Sequence, residues 1–197
     1  MIHTVPYPYA NVWVMPAPTR TPRDVWITEG LRALGVGGPD AVRIETLAQA
    51  LGVTKGGFYW HFGDRGALLA EMLDTWERVV AEDVITRVEA GGGDARAKLR
   101  RLFGIAVSID DMVKIEMAIR DWARRDPDVA ARLKRLDNRR MDYMRLLFGQ
   151  LVDDPDAVEV RCLLAFSLFI GSHLIAAEHG KRRRRDVVGL AIEELLA

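Results

Sequence analysis

The chain of 197 residues carries 28 Lys+Arg against 28 Asp+Glu, so its formal net charge is zero, and 49% of it is hydrophobic. That much apolar material supports a packed core and excludes a disordered chain; the zero charge excludes a polyanion binder that works by bulk charge alone. The lone cysteine, Cys162, excludes an internal disulfide framework and a Cys-rich zinc site, and it suits a reducing cytoplasm.

Residues 1–20 read as a disordered leader. They contain Pro6, Pro8, Pro16 and Pro18 and lack the basic start of a secretory signal. Their composition differs from the rest, which makes Met15 a candidate start. The most apolar stretch, 162–177, falls short of the ~20 apolar residues of a membrane span and carries Ser167, Ser172 and His173. A buried helix is expected there, and no membrane partner.

The rest follows the period of a helix almost throughout. A first helix is expected from Thr21 as cap, with Pro22 in its first turn, to about Leu34; Ile27, Leu31 and Leu34 share a face. Gly35, Gly37, Gly38 and Pro39 should end it. A short helix at 44–51 turns Leu47, Ala48 and Leu51 inward, and Gly52 breaks it. Thr54 can cap a third helix at 55–61, and Asp64 a fourth, starting at Arg65 and continuing to about Ala90. Gly91-Gly92-Gly93-Asp94 marks a linker. Longer helices follow at 95–108, 112–125, 127–151, 155–178 and 185–196. The fold class is therefore all-α, with about nine helices.

Two short helices joined by the tight turn Gly52-Val53-Thr54 are the grammar of a helix-turn-helix, whose second helix enters the major groove. Gly52 provides the left-handed turn residue and Val53 plugs the angle between the helices. Across the stretch ETLAQALGVTKGGFYWHFGDRGALL stand Leu47-Ala48, Gly52-Val53-Thr54, Tyr59-Trp60-His61-Phe62, Arg65 and Leu68-Leu69. In that order and spacing they resemble the DNA-binding signature of the TetR (tetracycline repressor) family, over residues 22–76.

The resemblance implies an N-terminal three-helix DNA-binding domain, 21–76, and a C-terminal helical domain, 77–197, for ligand binding and dimerisation. It implies a homodimeric transcriptional regulator, a repressor released from a double-stranded DNA operator by an unknown small-molecule effector. Within the reading head, Thr54 can cap the recognition helix and hold a phosphate, and Lys55 can reach a phosphate or a guanine edge. Gly56 and Gly57 each cost a helix about 1 kcal/mol, a sensible cost where backbone must approach DNA. Tyr59 and His61 match family positions that bond phosphates; Arg43 and Arg65 can clamp the flanking phosphates, and Trp60 is exposed or lies on the sugar–phosphate edge. His61 could equally be a packing residue. Phe58 and Phe62 read as core. Where Gly57 stands the family often has a small hydroxyl residue or alanine, which puts one phosphate contact in question. Residues 20–78 hold seven Lys+Arg against eight Asp+Glu, so binding must rest on placement and on two paired copies.

In the second domain, residues 156–177 are apolar nearly all round, and with 186–196 they could form half of a four-helix dimer interface. Candidate pocket residues between the middle helices are Phe103, Met117, Trp122, Met141, Met144, Phe166 and Phe169, with Arg120, Asp121 and His173 as polar anchors. His173 could equally be a satisfied core or interface histidine. The basic run 181–185 lies far from the reading head and reads as a solvated loop or a partner for acids on another subunit. No metal-ligand spacing, nucleophile elbow or phosphate loop is present, so neither a cofactor, a metal nor an enzyme is expected. The alternative is a helical adaptor or ligand-binding protein of the same fold that does not read DNA.

Overall fold

The structure is a computed structural model and describes residues 21–107 and 110–197; the expected leader and the candidate start at Met15 lie outside them. The order is α1 (Arg23–Gly37), a 3-10 turn (Pro39–Ala41), α2 (Ile44–Ala50), α3 (Lys55–Tyr59), α4 (Arg65–Glu77), a π turn (Arg78–Asp83), α5 (Val84–Ala90), α6 (Ala95–Val107), α7 (Asp110–Ala123), α8 (Pro127–Phe148), α9 (Pro155–Leu174) and α10 (Arg184–Leu196). The π turn joins α4 and α5 into one rod, giving nine helical units among the described residues, as expected. No strand occurs among the described residues, apart from an isolated bridge between His179 and Arg182.

Local chemistry sets several helix starts. Asp64, Asp126 and Asp154 each accept a backbone N–H of the following turn, at 2.8 Å from Ala67, 3.0 Å from Asp128 and 3.0 Å from Asp156. Two expected caps differ. Thr21 is not the cap of α1: Pro22 takes that position without a side-chain bond, and the Thr21 carbonyl receives His61 instead. Thr54 does occupy the cap position of α3, but its hydroxyl makes no capping bond.

Two helix ends also depart from expectation. The first helix does not stop at Leu34; it runs through Gly35 to Gly37, and Gly38, at φ +68°, turns the chain. Gly35 serves close packing here, because a Cβ on it would stand 3.2 Å from Ile115 Cγ1 of α7. Near the other end, α9 stops at Leu174 rather than near Glu178. Ser172 and His173 turn their side chains back to the Phe169 carbonyl, and Arg184 donates to the carbonyls of Ser172 and Ala177 at 2.8 and 3.0 Å. Of the basic run, Arg183 and Arg185 pair with Asp186 on the surface.

Two apolar clusters hold the chain together. One gathers Trp26, Leu34, Leu47, Phe58, Leu68 and Trp76 with Ile115 and Ile119 of α7 and Val129 and Leu136 of α8. Its aromatic centre has Trp26 edge-on to Phe58 at 5.5 Å and Phe58 stacked on Phe62 at 5.2 Å. The other joins Val88, Leu99, Phe103, Leu147, Phe148, Cys162 and Ile192. Helix α8 feeds both, so the head is packed against the body.

Helix α9 is not the buried helix that its composition suggests. Cys162 and Ala165 face the core, while Val160, Leu163 and Leu164 stand more than half exposed. By length and composition alone α9 is apolar enough to cross a membrane, which by itself does not make a membrane protein. One copy of the chain covers one face of it and leaves the other bare.

Candidate nucleic-acid interface and internal cavity

The head is built around the turn between α2 and α3. Gly52 has φ +67°, and the Val53 N–H bonds the Ala48 carbonyl at 2.9 Å. Arg43, Thr54, Lys55, Gly56, Tyr59 and Trp60 are all exposed on this surface. Tyr59 and Trp60 are 59% and 68% exposed, an unusual display of large aromatic surface. Tyr59 is braced edge-on by Phe58 at 5.3 Å. Lys55 Nζ bonds the Glu45 carboxylate, which holds that carboxyl below its ordinary range. Arg43 donates to the Asp40 carbonyl at 3.1 Å.

Two expected contacts sit deeper. His61 is half-buried, with Nε2 at 2.8 Å from the Thr21 carbonyl, so it ties α3 to the start of α1. The Arg65 guanidinium donates to the carbonyls of Val42, at 2.6 Å, and Pro39, anchoring the 3-10 turn to α4. Gly56 and Gly57 meet nothing nearer than ordinary van der Waals distance: a Cβ there would lie 3.6 Å from Thr54 Oγ1 and 3.8 Å from Trp26 Cζ2. Packing within the chain therefore does not require glycine at either position.

The body contains a cavity of about 110 Å³. Val79, Val80 and Ala81 of the π turn form one wall, and Leu102, Phe103 and Ala106 of α6 a second. Met112 and Glu116 of α7, Arg140, Tyr143 and Met144 of α8, and Phe166 and Phe169 of α9 complete its lining, and it stays partly open to solvent. The wall is almost wholly apolar. Its charged members belong to a quartet on α7 and α8. Glu116 is 2% exposed and accepts from Arg140 at 3.0 and 3.0 Å and from Arg120 at 2.9 Å. Arg120 also grips Asp137 at 2.8 and 3.0 Å, and its guanidinium lies 5.5 Å from the Phe166 ring centre. Burial pushes the Glu116 carboxyl up, but the two guanidinium groups outweigh it and hold the carboxyl below its ordinary range. Tyr143 donates to Glu89 at 2.6 Å; burial, then that bond, raises its hydroxyl well above the usual phenol range.

Of the expected pocket residues, Phe103, Met144, Phe166 and Phe169 line this cavity. Met117, Asp121 and His173 line a separate open groove beside the end of α1. Trp122 packs on the head core and bonds Asp126 at 3.2 Å, Met141 packs in the body core, and Arg120 stands behind Phe166. Glu116, Arg140 and the π turn escaped the sequence analysis. Glu116–Arg120 and Asp137–Arg140, at helical spacings of four and three, were the available signal. Among the described residues no cluster of His, Cys, Asp and Glu could hold a metal ion.

Residues 27–72 match the family model of bacterial regulatory proteins, tetR family. No curated protein matches the chain. Solved structures share the fold at low identity. SCO4454, a TetR-family transcriptional regulator from Streptomyces coelicolor, is 19% identical over 88% of this chain and 93% of its own, with TM-score 0.70. A protein described as a transcriptional regulator from Saccharomonospora viridis, in complex with choline, is 17% identical over 88% and 94%, with TM-score 0.73. The TetR-family regulator PfmR from Thermus thermophilus is 19% identical over 87% and 96%, with TM-score 0.65. Residues 27–72 thus carry the head that the model of bacterial regulatory proteins, tetR family, describes, on a chain whose fold TetR-family transcriptional regulators share.

Proposed function

We propose that the protein is a cytoplasmic homodimeric repressor that leaves its operator when a small molecule enters the cavity. One observation carries this reading: the π turn follows α4 without a break, and Val79, Val80 and Ala81 form a cavity wall while Ala81 also packs in the head core. An occupant would press on the rod that carries the reading head and tilt the balance between two dimer geometries. That a protein of this fold is described in complex with choline supports a small-molecule ligand for this chain as well.

The unit 21–76 reads DNA, and 77–197 pairs and senses. Exposed Val160, Leu163, Leu164 and Leu190 on α9 and α10 form the pairing face, so that two heads span two half-sites. Arg43, Thr54, Lys55, Gly56, Tyr59 and Trp60 meet the DNA directly. His61 and Arg65 fix the head, and Arg65 presents its remaining guanidinium donors to phosphate.

A gel shift on the DNA upstream of the gene, at two salt concentrations, tests the reading. Specific, salt-sensitive binding that is lost in the Lys55→Ala, Tyr59→Ala double variant supports it. Equal affinity for unrelated DNA, or binding unaffected by the double substitution, overturns the assigned surface.

A further inference from the structure

Resting on the reading of the cavity as the effector site, we infer that the effector is a small uncharged apolar molecule, and that the quartet Glu116–Arg120–Asp137–Arg140 excludes charged ones. The quartet contains two carboxylates and two guanidinium groups, so it carries no charge to spare for a ligand. Both Glu116 oxygens already accept guanidinium N–H groups. An incoming cation would find that carboxylate covered and Arg140 beside it. An incoming anion would have to pull Arg140 from Glu116 and leave a buried carboxylate unpaired, the costly way to break such a pair.

Two other handles are also taken. The Phe166 ring already carries one cation, Arg120 at 5.5 Å, whose charge opposes a quaternary ammonium on the ring's other face. The Tyr143 hydroxyl points to Glu89 at 2.6 Å, which leaves its ring as apolar wall. What remains for a ligand is the surface of Val80, Ile85, Leu102, Phe103, Met144 and Phe169. At about 110 Å³ the space suits a molecule of one ring or one branched alkyl group.

Three molecules of one shape separate the classes: 3,3-dimethylbutan-1-ol, uncharged; choline, its cationic isostere; and 3,3-dimethylbutanoate, the anion. Calorimetric titration of each into the full chain, without DNA, reads the charge preference alone. The alcohol should bind about tenfold or more tighter than either ion, because neither ion finds a counter-charge. Arg140→Met leaves the quartet with one excess negative charge and should shift the preference to choline; Glu116→Gln should shift it toward the carboxylate. The wild-type series stands even if both variants fail to fold. Choline or the carboxylate matching the alcohol on the wild-type chain overturns the charge inference and leaves the cavity reading intact. No binding by any of the three overturns both. Release of DNA by the alcohol, measured separately, addresses the repressor reading.

Discussion

The head and the body use ion pairs in opposite ways. On the head, Lys55 and Glu45 pair with their side chains 56% and 63% exposed, within reach of any polyanion that comes near. In the body, Glu116 is 2% exposed and shares its oxygens with Arg120 and Arg140, which are themselves mostly covered. An exposed pair is exchangeable: water or a phosphate replaces either partner at little cost. A buried pair is part of the architecture, since removing one member strands the other in a poorly polar interior. On the proposed reading, the zero net charge of the sequence conceals two functions of charge, one for contact and one for exclusion.

The sharpest way to break the contrast is Glu116→Gln. It leaves Arg120 and Arg140 sharing a neutral amide and should cost about 3–5 kcal/mol of unfolding free energy, read from urea melts. The pH dependence has a definite sign. The folded Glu116 carboxyl titrates below its ordinary 4.5, so its contribution is complete above that value and fades as pH falls through the lowered one. The gap between wild type and Glu116→Gln should therefore be widest near neutrality and narrow in acid. A gap constant from neutral pH to pH 3 would remove the charge from the explanation.

The pairing face comes next. Leu163 and Leu164 are 62% and 52% exposed in one copy. Burial between two copies would contribute about 1.5–3 kcal/mol per leucine. Leu163→Glu with Leu164→Lys should shift the protein toward monomer in sedimentation and weaken operator binding with it. A monomeric wild type would dispose of the four-helix interface.

The fold was largely legible because its signals are local. Asp64, Asp126 and Asp154 announce helix starts by side chains that bond the very next turn. Gly52 announces the recognition turn by a conformation few other residues accept. Failures came where one residue type serves two purposes. Gly35 looked like a helix stop and is a point of close approach between α1 and α7. Arg65 looked like a phosphate clamp, and it also holds two carbonyls of the 3-10 turn. The cavity was half legible: Phe103, Met144, Phe166 and Phe169 were identifiable as apolar residues between helices. The bonds between Glu116 and Arg140 run from α7 to α8, and no helical spacing encodes a contact between helices.

Gly56 offers a smaller effect with two opposite readouts. Nothing in the chain crowds a methyl group there, so Gly56→Ala should stabilise α3 by about 1 kcal/mol. If the bare backbone serves close approach to DNA, the same change should weaken operator binding several-fold in fluorescence anisotropy. A stabilised protein with unchanged affinity would show that the glycine is dispensable for recognition.

The smallest effect tests the exchangeable pair itself. Both Glu45 and Lys55 are open to solvent, so Glu45→Gln should leave the melting temperature unchanged. Affinity should move, because the acid next to the recognition helix repels phosphate and also holds the one lysine of α3. Its removal frees Lys55 and should tighten DNA binding at low salt, with the advantage fading as salt screens the repulsion. Lys55→Ala should do the reverse and flatten the salt dependence by about 0.9 in log–log slope for each phosphate that the lysine neutralises. In the background of Lys55→Ala, Glu45→Gln should retain the part of its effect due to repulsion alone. Equal gains in both backgrounds would mean that the lysine is held by the glutamate but never handed to DNA.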